Sequence, residues 1–298
     1  MRKPYYCRFY CQMMFSIVCC IASCIVSFYG FAQHQSKVEV LWLATSHQDN
    51  RHFGKDSKVN IATDTNNLLL KALSNYQIKL RIHPLQRIEH LMRKSKNTCM
   101  PNRIKTPERL KTSLFSLPLN MYPMLRLYTL SSNTSVQPVL VNQQLSSLNQ
   151  LFKQLPTHSL GLSRGRSYGK FFDRQIVNIN PNNIYQRATD SGLLSLIEML
   201  NRGRINYVIE YPTQMRSEMA DIVNPQGIKS IKIANSPNYI IGYLACSKSQ
   251  FAQQFINDVD TALRHLYQTN EFYQAHRRYL NDTDIEQFDQ DYKQVFVY

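Results

Sequence analysis

Two short stretches of this chain set guanidinium groups beside the start of a helix. The first is Asn102-Arg103-Ile104-Lys105-Thr106-Pro107-Glu108-Arg109. Thr106 suits a helix N-cap and Pro107 the first helical position, since the hydroxyl accepts an orphan N–H and the ring presets φ. Arg109 then falls one turn in, where its planar fork can hold a carboxylate through two N–H bonds. Its alternative is an ion pair with an acid on a nearby turn, such as Glu108. The second stretch is Gly161-Leu162-Ser163-Arg164-Gly165-Arg166-Ser167-Tyr168-Gly169, between a strand-like run and a helical one. Ser167 is the candidate N-cap, and a helix N-terminus beside Arg164 and Arg166 attracts anions. Otherwise it is an ordinary turn carrying two solvated arginines.

The same stretch also fits the G-x-S-x-G nucleophile elbow in letters, with Ser163 as nucleophile and Asp190 and His265 following in the required order. Against a serine hydrolase stand the missing HGGG-type loop and the glycines that continue to Gly169, which suggest a longer turn. The chain contains no H-E-x-x-H, no P-loop and no G-x-G-x-x-G, and its histidines lack metal spacing. No cofactor and no metal is expected.

The whole chain has 298 residues, with 35 Lys+Arg against 20 Asp+Glu, a formal charge of +15. Hydrophobic residues at 43% and charged residues at 18% make a globular composition and exclude a disordered chain. Residues 1–32 read as an export signal: Arg2, Lys3 and Arg8 precede an uncharged run from Met13 to Phe28, and Gly30 and Ala32 supply small residues for cleavage. A retained anchor and lipidation at Cys24 are the rivals. The segment takes three cations and five of the seven cysteines with it, leaving 266 residues, a charge of +12, and Cys99 and Cys246. In an oxidising exported compartment those two thiols are natural disulfide partners, with two buried free thiols as the alternative. The mature length is comfortable for two lobes.

The elements that would position the clusters alternate. Val38–Leu43, Tyr76–His83, Cys99–Arg103, Tyr122–Leu130, Ser159–Leu162, Ile205–Tyr211, Ile228–Ala234 and Tyr239–Ala245 read as strands. Helical spacing appears over Thr63–Ser74, around Ile88–Met92, from Tyr168 to Gln175, in Leu193–Leu200 with Gly203 as C-terminal cap, from Phe255 to Leu266, and around Phe272–Leu280. The acidic tail Asp282–Asp291 reads as a solvated helix or loop. The pattern is α/β with mostly parallel sheets.

T-P-E-R at 106–109 followed by Phe115-Ser116-Leu117-Pro118 resembles the T-x-x-R…F-S-x-P signature of type II periplasmic solute-binding proteins, in their family 3, polar amino-acid branch. The turn at 161–169 and Leu200-Asn201-Arg202-Gly203-Arg204-Ile205-Asn206-Tyr207 follow in matching order, so the resemblance spans about 38–280. It implies two α/β lobes joined by two crossover strands and closing on a ligand: lobe 1 from 33–129 and 236–298, lobe 2 from 130–235. Cys99 and Cys246 then share a lobe, which favours their bridge. The resemblance assigns Arg109 to a ligand carboxylate, with polar groups upstream near Asn102 and Ile104 and Thr106 at the helix start. Arg166, Ser167 and Tyr168 face it from lobe 2. Trp42 is the nearest candidate to stack on the ligand, with core packing as its alternative.

The family's acid for a ligand ammonium aligns with Tyr211, while Glu210, one position earlier, is expected on the opposite face of its strand. The further cations Arg103, Lys105, Arg164 and Arg166 point to an anionic, carboxylate-bearing solute. The expected function is a non-catalytic, monomeric periplasmic protein that captures a small solute for an ABC transporter permease or a sensor, with no nucleic acid as partner. The alternatives are a hydrolase using Ser163 and an exported protein whose basic surface binds polyanions.

Overall fold

The computed structural model describes residues 37–45, 51–187, 192–223 and 226–296. The proposed signal segment 1–32, Cys24 and Asp190 lie outside the described residues. One sheet is built from β1 (Val38–Ala44), β2 (Tyr76–Ile82), β3 (Thr98–Arg103) and β4 (Ser113–Pro123) with β12 (Tyr239–Ser247) from late in the chain, in the order β2-β1-β3-β12-β4. Its connections are helices α1 (Ile61–Ala72), α2 (Leu85–Lys94) and α3 (Pro107–Thr112). Asn60 caps α1 by accepting the Thr63 N–H at 2.9 Å. Pro84 ends the β2 run and precedes α2.

The second sheet uses β5 (Arg126–Leu130), β6 (Leu140–Val141), β7 (Gln144–Leu145), β8 (Leu160–Ser163), β9 (Ile184–Arg187), β10 (Tyr207–Glu210) and β11 (Ile228–Ile233), in the order β6-β7-β11-β5-β10-β8-β9. Helices α4 (Leu148–Gln154), α5 (Gly169–Ile176), α6 (Gly192–Asn201) and α7 (Pro212–Met219) connect them. After α6, Gly203 takes φ +67°, a left-handed conformation that glycine adopts without Cβ strain, and its N–H returns to the Leu200 carbonyl. The sheets are mixed. β1, β2 and β3 run parallel, as do β8, β9 and β10, whereas β12 and β5 pair antiparallel to their neighbours.

The chain crosses between the sheets twice, from β4 to β5 and from β11 to β12. The single strand expected over Tyr122–Leu130 is therefore two. Residues 113–123 form a long strand of the first sheet, and Pro123, which has no N–H, closes its ladder before β5 starts in the second.

Cys99 on β3 lies opposite Cys246 on β12 in antiparallel register, and the two form a disulfide across 147 residues. The bridge sits in a core that also takes Val40, Trp42, Leu119, Met121, Leu244 and the buried stripe of α8 (Gln250–Tyr267). The tail departs from the solvated expectation. Residues Asp282–Val295 form α10, which buries Phe288, Tyr292 and Val295 against α9 (Asn270–Arg277), with Phe296 completing the cluster. Its acidic letters hide an apolar face at helical spacing, and one terminal nitrogen of Arg126 on β5 donates to both Asp284 oxygens, each at 2.9 Å.

His276 is enclosed by these aromatic rings, with no exposure. Its Nδ1 donates to the Phe272 carbonyl at 2.8 Å and its Nε2 has no partner, so burial holds the ring neutral and pushes its pKa down to about 4.

Two outcomes follow. Because the unfolded chain protonates this ring near its ordinary 6.5, the stability it supports is complete above that pH and falls as pH drops toward 4. The full loss is about 3 kcal/mol, and denaturant midpoints measured from pH 7 to 4 should fall less steeply in His276→Phe. Replacing both cysteines with serine should lower the unfolding free energy by about 2–5 kcal/mol. An unchanged melting temperature would contradict the role given to the bridge.

Candidate functional site

The parallel strands of both sheets end toward one cavity of about 480 Å³, as expected for ligand clefts in α/β proteins. The first sheet supplies Trp42–Thr45 at the end of β1, Asn60 and Thr63 at the start of α1, Leu85 of α2, Asn102–Ile104 at the end of β3, and Arg109. The second supplies Ser163, Arg164, Arg166 and Ser167 from the end of β8 onward, Arg187 at the end of β9, and Glu210 and Tyr211 at the end of β10. Gly165 makes the turn at φ +77°, and a Cβ there would come within 3.8 Å of Leu85, so the two walls approach closely at this point.

Arg109 sits where the cap chemistry places it. Thr106 caps α3 by accepting the Arg109 N–H at 3.3 Å, with Pro107 in the first turn. Thr106 itself does not line the cavity. The Arg109 side chain is mostly buried, donates to the Ile104 carbonyl at 3.0 Å, and stands 3.9 Å from Glu89. Its pKa is pushed down to about 10, first by desolvation and then by Arg103, while Glu89, Asp173 and Tyr211 oppose the shift. It stays charged at neutral pH.

Elsewhere the chain supplies its own anions, and several expectations are corrected. Arg166 is not open to a ligand carboxylate: its two terminal nitrogens donate to the two oxygens of Glu210 at 2.5 and 2.7 Å. The rings of Tyr168 and Tyr211 flank the guanidinium, with centroids 4.9 and 5.6 Å away. Glu210 does not point away from the cleft. It ends β10, where strand alternation no longer fixes direction, and Oε1 also accepts the Tyr211 N–H at 2.8 Å.

The helix N-terminus at α5 is likewise filled from within. Asp173 accepts the Tyr168 N–H at 2.7 Å and the Ser167 hydroxyl at 2.6 Å, and Ser167 Oγ accepts the Gly169 N–H. Tyr168 rather than Ser167 occupies the cap position, and it lies outside the cavity lining, with its hydroxyl accepting the Ser163 N–H.

The remaining assignments separate in the same way. Trp42 is 2% exposed within the first core, so it forms floor rather than a free stacking face. Tyr211 stacks on Tyr122 with centroids 4.6 Å apart, a pairing across the crossover that the sequence reading lacked. Arg103 is held by Glu89. Lys105 turns out of the cleft onto the Tyr243 ring, 3.9 Å from its centroid. Asn102 reaches the cavity in a left-handed conformation, φ +59°, and its Oδ1 accepts from the Asn120 amide at 2.5 Å. Ser163 begins no elbow, because α5 starts only at Gly169, and His265 lies on α8 beside the first sheet with an exposed side chain. The hydrolase alternative therefore finds no assembled machinery among the described residues.

No family model and no curated protein sequence matches the chain. Solved structures do match. An amino-acid ABC transporter substrate-binding protein of Streptococcus pneumoniae bound to L-arginine is 16% identical, with a TM-score of 0.57 and coverage of 89% of this chain and 98% of that one. A Streptococcus mutans structure from work on glutathione import and a cystine ABC importer has a TM-score of 0.59 at 16% identity, covering 83% and 99%. The fold is that of the two-lobed type II solute-binding proteins. An ancestral arginine-binding protein bound to arginine also matches at a TM-score of 0.59 and 15% identity, over 82% of this chain and 98% of that one.

The left-handed Asn102 gives a direct test. Asn102→Gly and Asn102→Ala both lose the bond to Asn120, but alanine adds Cβ strain of about 1 kcal/mol. Chemical denaturation should rank alanine below glycine by that amount; equal stabilities would contradict it.

Proposed function

We propose that this chain is an exported, non-catalytic solute-binding protein that captures a small carboxylate-bearing solute in the cleft and presents it to a membrane permease or sensor. The observation that carries this reading is Arg109. It is a desolvated guanidinium at a cleft wall, its carboxylate contact to Glu89 is long at 3.9 Å, and it faces the opposite wall closely enough to feel Asp173. Such a group gains most from an incoming carboxylate, because charge-assisted bonds strengthen out of water.

The structural matches support the transport side of the reading, since the pneumococcal structure is described as an ABC transporter substrate-binding protein. In this reading the lobes are 33–129 with 236–298, and 130–235. The export signal accounts for periplasmic location, and the protein acts as a monomer. Among the described residues, no helix is long and apolar enough to cross a membrane. A ligand gripped from both walls favours the closed form by its differential affinity.

Thermal shift against amino acids, dicarboxylates, oligopeptides and sugar acids should identify a stabilising carboxylate. Arg109→Ala should keep the fold and weaken that ligand about tenfold to a hundredfold, the cost of losing one charged hydrogen-bonding partner. Undiminished binding of the same solute by the variant would remove Arg109 from the site.

A further inference from the structure

Among the described residues, the carboxylates around the cleft are engaged, and Arg164 and Arg187 of its lining are not held by an acid. Both oxygens of Glu210 hold Arg166, and the Glu210 side chain has no exposure. Glu89 holds Arg103, and Asp173 holds Ser167 and Tyr168. Farther along the wall, Glu218 accepts from Gln214 at 2.9 Å, and Asp221 is not free either. By contrast, Arg164 has no acidic partner among the described residues. Among the described residues, the Arg187 side chain reaches the sulfur of Met199 at 3.5 Å, and its Nε is buried without a hydrogen bond.

A ligand ammonium entering this cleft would lose water and meet no uncommitted carboxylate among the described residues. A second anionic group would meet Arg164 or Arg187. Desolvated like charge is penalised and desolvated opposite charge rewarded, so the two ends of a solute are sorted in the same direction.

We propose that the cleft selects organic acids bearing two anionic groups and no ammonium, with Arg166 acting as a built-in cation that satisfies Glu210 and denies it to a ligand amine. The inference rests on the carboxylate-capture reading and adds the sign of the rest of the solute. Arg166 and Glu210 are specificity residues in this scheme, and Arg109 remains the primary contact.

Titration calorimetry on the full-length chain with matched acids tests it. The probes are glutarate against glutamate, succinate against aspartate, and valerate as the single-carboxylate control. The dicarboxylate should bind at least tenfold tighter than its amino counterpart and than valerate. Glu210→Gln keeps the side chain's shape while releasing the charge of Arg166, and should tighten the dicarboxylate threefold or more. Arg166→Gln exposes Glu210 to the ligand and should narrow or invert the preference against the amine.

Should Arg166→Gln fail to fold, the unmodified protein and Glu210→Gln still decide the matter. Glutamate or aspartate binding as tightly as its deaminated partner overturns the inference. If Arg109→Ala weakens both members of such a pair, carboxylate capture stands without it. Absence of binding by every acid in the series overturns both.

Discussion

The second wall of the cleft depends on one buried pair. A fully buried carboxylate must be protonated or matched by a cation with good geometry, and Glu210 is matched by the two-pronged contact from Arg166. Breaking such a pair from one side costs about 3–5 kcal/mol, far more than a surface pair contributes. The turn from Ser163 to Tyr168 is therefore not free to vary. Arg166 must reach inward beneath the Tyr168 and Tyr211 rings, and Tyr168 in turn accepts the Ser163 N–H. Asp173 fastens the other end of the turn to the first residues of α5. A wall built this way arrives at the cleft already shaped.

The first wall is held differently. Its strands are stitched by the disulfide between neighbouring strands and by the core beneath α8, while α10 braces the structure from the end of the chain. The ion pair of Asp284 with Arg126 ties α10 to the first residue of β5, three residues after the first crossover's Pro123. That contact lies away from the cleft lining, whereas Tyr122, next to the first crossover's Pro123, is part of it. In the proposed function, rotation about the crossovers changes the separation of the walls while each wall keeps its internal bonding.

What the sequence made legible was what depends on neighbours a few residues apart. The cap by Thr106, Pro107 at the helix start, the turn-ending Gly203 and the alternation in β1 and β2 are local chemistry, and each element formed near its expected place. The cysteine pair was legible by counting, once residues 1–32 were read as an export signal. The charge partners were not legible. Arg166 meets Glu210 across 44 residues and Arg103 meets Glu89 across 14, and no spacing rule connects them. Alternation placed Glu210 on the wrong face because it is the last residue of β10, immediately before the backbone turns into Pro212 of α7. The tail was misjudged for a related reason: its acidic residues dominate its composition, whereas Phe288, Tyr292 and Val295 share one helical face.

A cleft that neutralises most of its own charge has an energetic consequence for closure. If every arginine on its walls were bare, the walls would repel one another and closing them would cost desolvation on both sides. Internal pairing of Arg103 and Arg166 lowers that repulsion. It leaves Arg109 as the group of the first wall whose charge is felt by Asp173 and Tyr211 of the second. Without ligand this attraction is weak, because Asp173 is already bound to Ser167 and Tyr168. In the proposed function a bound carboxylate adds a full opposite charge held against both walls. The difference between those two situations, and not the number of cations in the cleft, sets how far a ligand can move the open–closed equilibrium.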